Sequence, residues 1–415
     1  MPLKKLQIAP GIDKQNTEYG AEGKWVDGDN IRFRYGQPEK IGGWTKVTSD
    51  ALLGATRAVL TWSDLKGENY AIYGTNKKLY AYSDGSYGDI TPSRGTGSIT
   101  QFETTNTSTT VIVTDADHGA LVGDHVTISS VSGAVGGISQ ANLQNEFEIQ
   151  TVPSSSTYTI VAPAAASSDA TTGTGTATYQ INSGSATSIY GYGWGAGVWN
   201  VSTWDTTRVY TDTSLYQMQF IGAPFTFGFK QLGSNCGAVG IHSAIDISGI
   251  VFWMGTDSFF QFDGAVKKIP CSVQDYVFDD INNNALGDIF CAANTDFNEV
   301  IWFYPSKDSL QIDRHVTYNY AENLWYTGSL ARSSWADRGV YSNPYAAEFD
   351  SDDTTATIST IYGNKEGRTF VYAHEEGVND DGSAMTSYIE SGDIDIADGD
   401  QFISVSRFIP DFKNQ

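Results

Sequence analysis

Apolar and polar residues alternate along most of this chain with the period of two that a half-buried strand requires. Thr56–Trp62 predicts a strand, Asn69–Tyr73 the next across the Asp64–Gly67 turn, and Lys78–Tyr82 a third. Asp84-Gly85 then turns the chain into a fourth strand ending near Thr91-Pro92. Four short antiparallel strands of this kind make one β-propeller blade or half of a sandwich. Only the stretch around Val273–Ala285 reads as helix; the rest reads as β.

Changes in the pattern divide the chain into four parts. Residues 1–46 are polar and irregular, broken by Pro10-Gly11, Gly20, Gly23, Gly28, Gly36, Pro38 and Gly42-Gly43. Such an arm buries little apolar surface alone and must lie along something else to be ordered. Within it Ile31-Arg32-Phe33-Arg34-Tyr35 alternates as one strand with its apolar side docked, and Trp25 and Trp44 are the natural anchors. Residues 47–95 hold the strands above, the first part of a propeller-like domain. In residues 96–180 aromatics nearly vanish, yet alternation persists in Thr110–Val113, His125–Ile128, Glu146–Ile149 and Thr157–Ile160. This predicts a small inserted β-sandwich or barrel module, with Ser167–Gly175 as a flexible exit linker. Residues 181–415 are the remainder of the larger domain.

A repeat supports the propeller-like expectation. Leu79-Tyr80-Ala81-Tyr82-Ser83-Asp84-Gly85 parallels Phe259-Phe260-Gln261-Phe262-Asp263-Gly264, and both soon reach a proline followed by serine (Pro92-Ser93; Pro270-Cys271-Ser272). Val316–Tyr326 and Arg368–Gly377 carry weaker versions. One strand-turn-strand unit recurring at irregular intervals is the pattern of blades separated by insertions. The expected fold is therefore all-β, with a propeller-like domain, an inserted module and an extended N-terminal arm.

Composition agrees with strands and turns: of 415 residues, 43 are Gly, 23 Tyr, 20 Phe and 10 Trp. Charge narrows the partners. The formal net charge is −23, and it is uneven: residues 1–46 hold eight Lys/Arg against six Asp/Glu, leaving about −25 on the rest. Fourteen acidic residues against Lys365 and Arg368 fall between Ala346 and Asp400. An acidic body repels polyanions, which argues against tight nucleic-acid binding. The plainer reading is a solvated acidic surface; the sharper one is a surface past which DNA slides without sticking. Cys236, Cys271 and Cys291 are odd in number and widely spaced, which indicates neither a zinc site nor a disulfide framework. No apolar run long enough for a signal peptide or a membrane span is present, so a cytoplasmic origin without membrane anchoring is expected.

Reactive constellations are weak. His118 and His125, with Asp115 and Asp117, could hold a metal, but Asp-His-Gly reads better as a turn. Cys236 and His242 could form a nucleophile and base, yet Val239, Ile241, Ile245 and Ile247 read as a buried strand pair. Carboxylate pairs (Asp279-Asp280, Asp352-Asp353, Glu375-Glu376, Asp380-Asp381) sit mostly beside turn residues, without the apolar setting that raises a catalytic acid. Asp393–Asp400 offers four carboxylates in eight residues, but without the spacing of a calcium loop. Gly191–Gly197 alternates Gly with aromatics and lacks the lysine of a phosphate loop. No catalytic, cofactor or metal residue is expected.

The arm carries a resemblance. Ala9-Pro10-Gly11-Ile12, Asn16-Thr17-Glu18-Tyr19, Glu22-Gly23-Lys24-Trp25, Asp29–Arg34 and Pro38-Glu39-Lys40-Ile41-Gly42-Gly43-Trp44 together resemble the opening of podophage tail-tube or nozzle (tail-hub) proteins. The likeness continues in Tyr210–Tyr216, Phe227-Gly228-Phe229, Asn235-Cys236-Gly237, Val251–Gly255, Asp275–Asp280 and Asn298–Pro305. It implies a structural, non-enzymatic tail subunit in a ring of about six copies. Head-to-tail adaptor and portal would lie above, tail fibres or spikes at the side, and genomic dsDNA would pass through without specific binding. Residues Trp25, Arg32, Phe33, Arg34 and Trp44 would then be interface residues, with Arg32 and Arg34 pairing to an acidic neighbour. The same resemblance leads one to expect a further stretch between Trp204 and Arg208 and more chain beyond Gln415. Two other readings remain open: a carbohydrate-binding or carbohydrate-cleaving propeller with Trp194, Trp199 and Trp204 as stacking platforms, or a head-decoration protein.

Overall fold

The structure is a computed structural model that describes residues 6–170, 175–184, 192–196, 207–221, 224, 227–350, 367–394 and 409. It is a mostly β assembly of small, largely antiparallel sheets, with two short helices, Gln140–Leu143 and Gln274–Asp280, among the described residues. The first consists of Thr56–Ser63, Asn69–Thr75, Leu79–Ser83 and Ser86–Asp89, each paired to the next. Its turns follow from their residues. The Asp64 carboxylate accepts from the backbone of Lys66 (2.8 Å) and Glu68 (2.9 Å), while Asp84 and Gly85 both hold positive φ, as a two-residue hairpin turn demands.

Two further four-stranded meanders follow. One contains Ala244–Ile247, Ile250–Met254, Phe259–Phe262 and Val266–Ile269; the next contains Phe290–Asn294, Glu299–Tyr304, Arg314–Asn319 and Leu324–Gly328. A fourth runs Ser334–Ala336, Tyr345–Asp350, Arg368–His374, continues through Trp44–Lys46 from the arm to Asn379–Asp380 and Ser383–Ala384, and has Leu52–Leu53 paired to Arg368–His374. Each of the four repeat units starts on the third strand of its sheet, with Val316–Tyr326 running on into the fourth strand Leu324–Gly328. A fifth sheet has three strands, Thr207–Tyr210, Ser214–Phe220 and Phe227–Ser234.

No closed propeller is formed among the described residues. First strands pack in the order Ala244–Ile247, Phe290–Asn294, Ser334–Ala336, Thr56–Ser63. The short 3-10 turn Gly193–Ala196, not a further strand, then lies against Thr56–Ser63 and Asn69–Thr75.

The inserted module spans Ser93 to Asn182, slightly wider than expected, because Ser93–Ile99 and Ala177–Asn182 pair with each other as its stem. Two four-stranded sheets enclose a core that includes Phe102, Val111, Phe147, Tyr158 and Ile181. The threonines lie largely on the wet faces of its strands, so alternation alone, with few aromatics, builds this core. The expectation of a flexible linker from Ser167 fails for the described part. Ser167 N donates to Gly136 O (2.8 Å) and Ala170 pairs with Thr104 in both directions, which ties this stretch to the module. Residues 171–174 of that proposed linker lie outside the described residues. Lys77 and Lys78 hold the module against the first meander through Glu148 (3.2 Å) and Glu146.

The predicted helix is present as Gln274–Asp280. No helix among the described residues is long and apolar enough to cross a membrane.

The arm is not an extended projection. Ala9–Ile12 pairs in parallel with Lys24–Asp29, which pairs antiparallel with Tyr388–Ser391. Trp44–Lys46 inserts between Arg368–His374 and Asn379–Asp380. Arm and C-terminal strands thus share two sheets. Gly42 and Gly43 permit this approach: a Cβ on Gly43 would lie 2.4 Å from Asn379 O, and one on Gly42 2.6 Å from Glu375 Cα.

Candidate functional site

Two places concentrate charged and polar side chains: the seat of the arm, and a cavity between the first strands of the meanders.

At the arm seat, Arg32 sits in the Ile31–Arg34 strand and is buried. Its guanidinium lies over the Phe297 ring, 3.6 Å from the centroid. Nη1 donates to Glu375 Oε2 at 2.9 Å and Nη2 to Glu375 Oε1, while Nε lies 2.9 Å from Glu299 Oε1. Asn294 Nδ2 bridges the carboxylates, 3.1 Å from Glu299 and 3.0 Å from Glu375, and the Tyr326 hydroxyl donates to Glu299. The Gly42 amide donates to Glu375 as well (3.1 Å). One cation therefore faces two acids. Glu375 takes the bidentate contact that neutralises it, which leaves Glu299 as the surplus carboxyl. Burial pushes Glu299 up to about 7 against the downward pull of Arg32. The same carboxylates hold the Arg32 guanidinium above its ordinary range despite its own burial.

This arrangement fixes a pH dependence. A carboxyl raised from 4.5 to about 7 by folding contributes stability that is complete below pH 4.5 and is lost as pH climbs through 7. The loss is about 3 kcal/mol at most for this group. Urea midpoints at pH 5 and pH 8 should therefore lie closer together in Glu299→Gln than in the parent chain; an unchanged gap would show that Glu299 does not titrate there.

The five expected interface residues thus separate. Arg32, Phe33 and Trp44 are buried within the chain itself, because their partners come from strands hundreds of residues away. Phe33 joins the core with Ile12, Phe259, Trp302 and Trp325. Trp44 donates its Nε1 to Asp380 (2.6 Å) and stacks on His374. Arg32 does not reach an acidic neighbour; its acids are internal. Trp25 is half-buried against the same core as Phe33. Only Arg34 is exposed, beside Tyr35, at the tip of the hairpin Ile31–Arg34/Gln37–Lys40.

The cavity, about 360 Å³, is lined by residues in or next to the first strands of four sheets, among them Arg57, Thr61, His242, Phe290, Cys291 and Trp335. Arg57 is buried with its Nη1 3.6 Å from Asp288 Oδ1. Burial lowers the Arg57 guanidinium and raises Asp288, each opposed by the other's charge. The Tyr192 hydroxyl is pushed up to about 12, chiefly by burial, and burial pulls His242 down. Burial also raises Cys291 well above the usual thiol range, so it stays protonated and a poor nucleophile. A buried ion pair beside the cavity ties the Thr56–Ser63 strand to the 3-10 turn Leu286–Asp288.

The other sequence candidates take structural places. His118 accepts from the Ala120 amide and packs on Tyr158, while His125 is buried beside Lys77 and Lys78, where burial drops its imidazole to about 3. No group of three or more His, Cys, Asp or Glu able to hold a metal occurs among the described residues. Cys236 belongs to a cluster with Leu215, Val251 and Trp253, whereas His242 packs at a tilt against the Tyr192 ring. Glu376 accepts from Thr45, Asp380 from Trp44, and Asp381 from the Lys46 amide. Asp280 stands 3.9 Å from Arg314. Trp194 is in the short 3-10 turn; Trp199, Trp204, Asp352-Asp353 and Asp395–Asp400 lie outside the described residues. Sequence reasoning missed the roles of Glu299, Asp288 and Asn294, whose one available signal was a polar residue beside an apolar strand.

No protein-family model matches this chain, and no curated protein does. Among solved structures it is similar to the phage phi92 endosialidase, at 14% identity over 95% of this chain and 76% of that one, with a TM-score of 0.31. A likeness that slight carries no argument for fold or function.

Proposed function

We propose that this chain is a structural subunit of the tail of a short-tailed bacteriophage, a nozzle or tail-tube component working by shape. The observation that supports this reading most is the mutual contact of the segments that carry the resemblance. Ile12 and Phe33 of the arm share one core with Phe252 and Met254 from Val251–Gly255 and with Val300, Trp302 and Tyr304 from Asn298–Pro305. Arg32 closes on Glu299 of the same segment. Segments scattered over some 300 residues thus act as one structural unit, as they should if they are the framework of a ring subunit.

In this reading the four meanders are propeller blades. Their first strands border the 360 Å³ cavity, and Trp44–Lys46 supplies the fourth strand of the last blade. About six copies form a ring beneath the adaptor and portal, with fibres or spikes outside. The acidic surface gives passing DNA no attraction to overcome. Native mass spectrometry of the purified chain, alone and with its adaptor, is expected to give a ring, and particle images should place it on the DNA conduit. A monomer under every condition, or polysaccharide cleavage by the purified chain, would overturn the proposal.

A further inference from the structure

We propose that the Arg34-Tyr35 tip of the Ile31–Arg34/Gln37–Lys40 hairpin docks on the acidic body of the next copy of this chain. The inference rests on the ring reading above and names the contact that would build it.

The tip is held rigid. Its turn is Tyr35-Gly36, with φ of 52° and 70°, the two positive values that a type I′ turn requires. The Glu322 carboxylate accepts from both turn amides, at 2.7 Å from Tyr35 N and 3.0 Å from Gly36 N. Glu322 is fixed in turn, because its own amide donates to Asn319 Oδ1 (2.9 Å) and the neighbouring Asn323 accepts from the Tyr318 hydroxyl (2.7 Å). The base of the hairpin is anchored by buried Arg32 and Phe33. Tyr35, by contrast, is 83% exposed.

A tyrosine is not what this turn asks for. Its first position favours Asn, Asp or Gly. Most non-glycine residues with positive φ among the described residues are Asn, Asp or Ser, and Tyr35 is the one aromatic. A bulky side chain in that region is strained, and an exposed ring gains no burial within its own chain to offset the strain. Burial against another molecule would supply the offset. Beside it, the Arg34 guanidinium lies 5.2 Å from the Tyr35 ring and 5.5 Å from the Phe297 ring, and it forms no ion pair among the described residues. Nearby acids are occupied: Glu322 by the turn amides, and Asp296 by Arg338 at 2.6 Å. Tyrosine and arginine are among the residues that most often carry the energy of an interface.

Charge identifies the occupant. The chain carries −23, with the excess of acid outside residues 1–46, so a basic tip is drawn to the body of another copy. Two Arg34 tips placed face to face would repel, which disfavours a two-fold pairing through this element. A tip that meets a different surface makes a head-to-tail contact, and contacts of that class close into rings. Duplex DNA fits less well, because one arginine on an acidic chain offers no track along the phosphates.

Tyr35→Asn removes the ring and installs a residue that the turn favours. Its thermal midpoint is expected to equal or exceed the parent's, while assembly weakens about tenfold or more, read by native mass spectrometry and sedimentation. A tyrosine serving only the fold would lower the midpoint and leave assembly as it was. Tyr35→Phe should assemble as the parent does. In the parent chain, hydroxyl-radical labelling of Tyr35 should fall several-fold between monomer and ring, a measurement that needs no variant. Tyr35→Asn assembling like the parent, or labelling that is the same in monomer and ring, would overturn this inference and leave the ring reading standing; a parent that is always monomeric would end both. Binding of a short DNA duplex that is lost in Tyr35→Asn would assign the tip to nucleic acid instead.

Discussion

Arg32→Met is expected to destabilise the fold by about 3–5 kcal/mol, because it strands buried carboxylates without their cation. Arg32 is the only cation that contacts both Glu299 and Glu375 among the described ion pairs. Methionine keeps most of the apolar stem over Phe297 but leaves Glu299, which is 2% exposed, with Asn294 and Tyr326 as its remaining partners. The loss should be concentrated at the arm, since Arg32 joins it to strands far along the chain. Urea unfolding measures the size, and limited proteolysis should show cleavage ahead of Trp44 before the body is cut. Adding Glu299→Gln to Arg32→Met should recover part of the loss by removing the surplus acid. If the double variant is no more stable than the single one, packing rather than charge explains the effect.

Gly43→Ala should be comparably severe. The new Cβ would stand 2.4 Å from Asn379 O and 2.5 Å from Asn379 N, both backbone atoms that cannot turn aside. The two strands must separate, and Trp44 loses its place over His374 and its bond to Asp380. Losing a buried tryptophan's contacts corresponds to about 3–5 kcal/mol. Gly36→Ala is the control. It has open space around it and differs only in its positive φ, so about 1–2 kcal/mol is expected. Thermal melting of the pair separates close approach from backbone strain; equal shifts would contradict the close-approach argument.

What was legible in the sequence was local. The first meander could be read because each strand alternates and each turn has its own chemistry, as at Asp64 and at Asp84-Gly85. The module was visible because its alternation persists where aromatics stop. The equivalence of Leu79–Gly85 and Phe259–Gly264 was readable too, and both lie on a third strand. The arm was misjudged for the opposite reason. Its partners are Glu299, Glu375, Asn379–Asp380 and Tyr388–Ser391, and nothing in a polar, glycine-broken segment says how far away its partners lie. The Gly42-Gly43 pair was the available sign, since two adjacent glycines before a tryptophan invite a backbone to come close.

The sheet shared by Trp44–Lys46 and Asp380 also sets an order of events during synthesis. Trp44 leaves the ribosome 336 residues before Asp380. At typical elongation speeds that interval is roughly 20–70 s. Throughout it the early segment has no sheet to enter, while the inserted module, whose contacts lie within 90 residues, can already be complete. Loss of the last strands by premature termination would therefore leave Trp44–Lys46 without its sheet partners Arg368–His374 and Asn379–Asp380 beside a finished module, a species open to quality-control proteases and to aggregation.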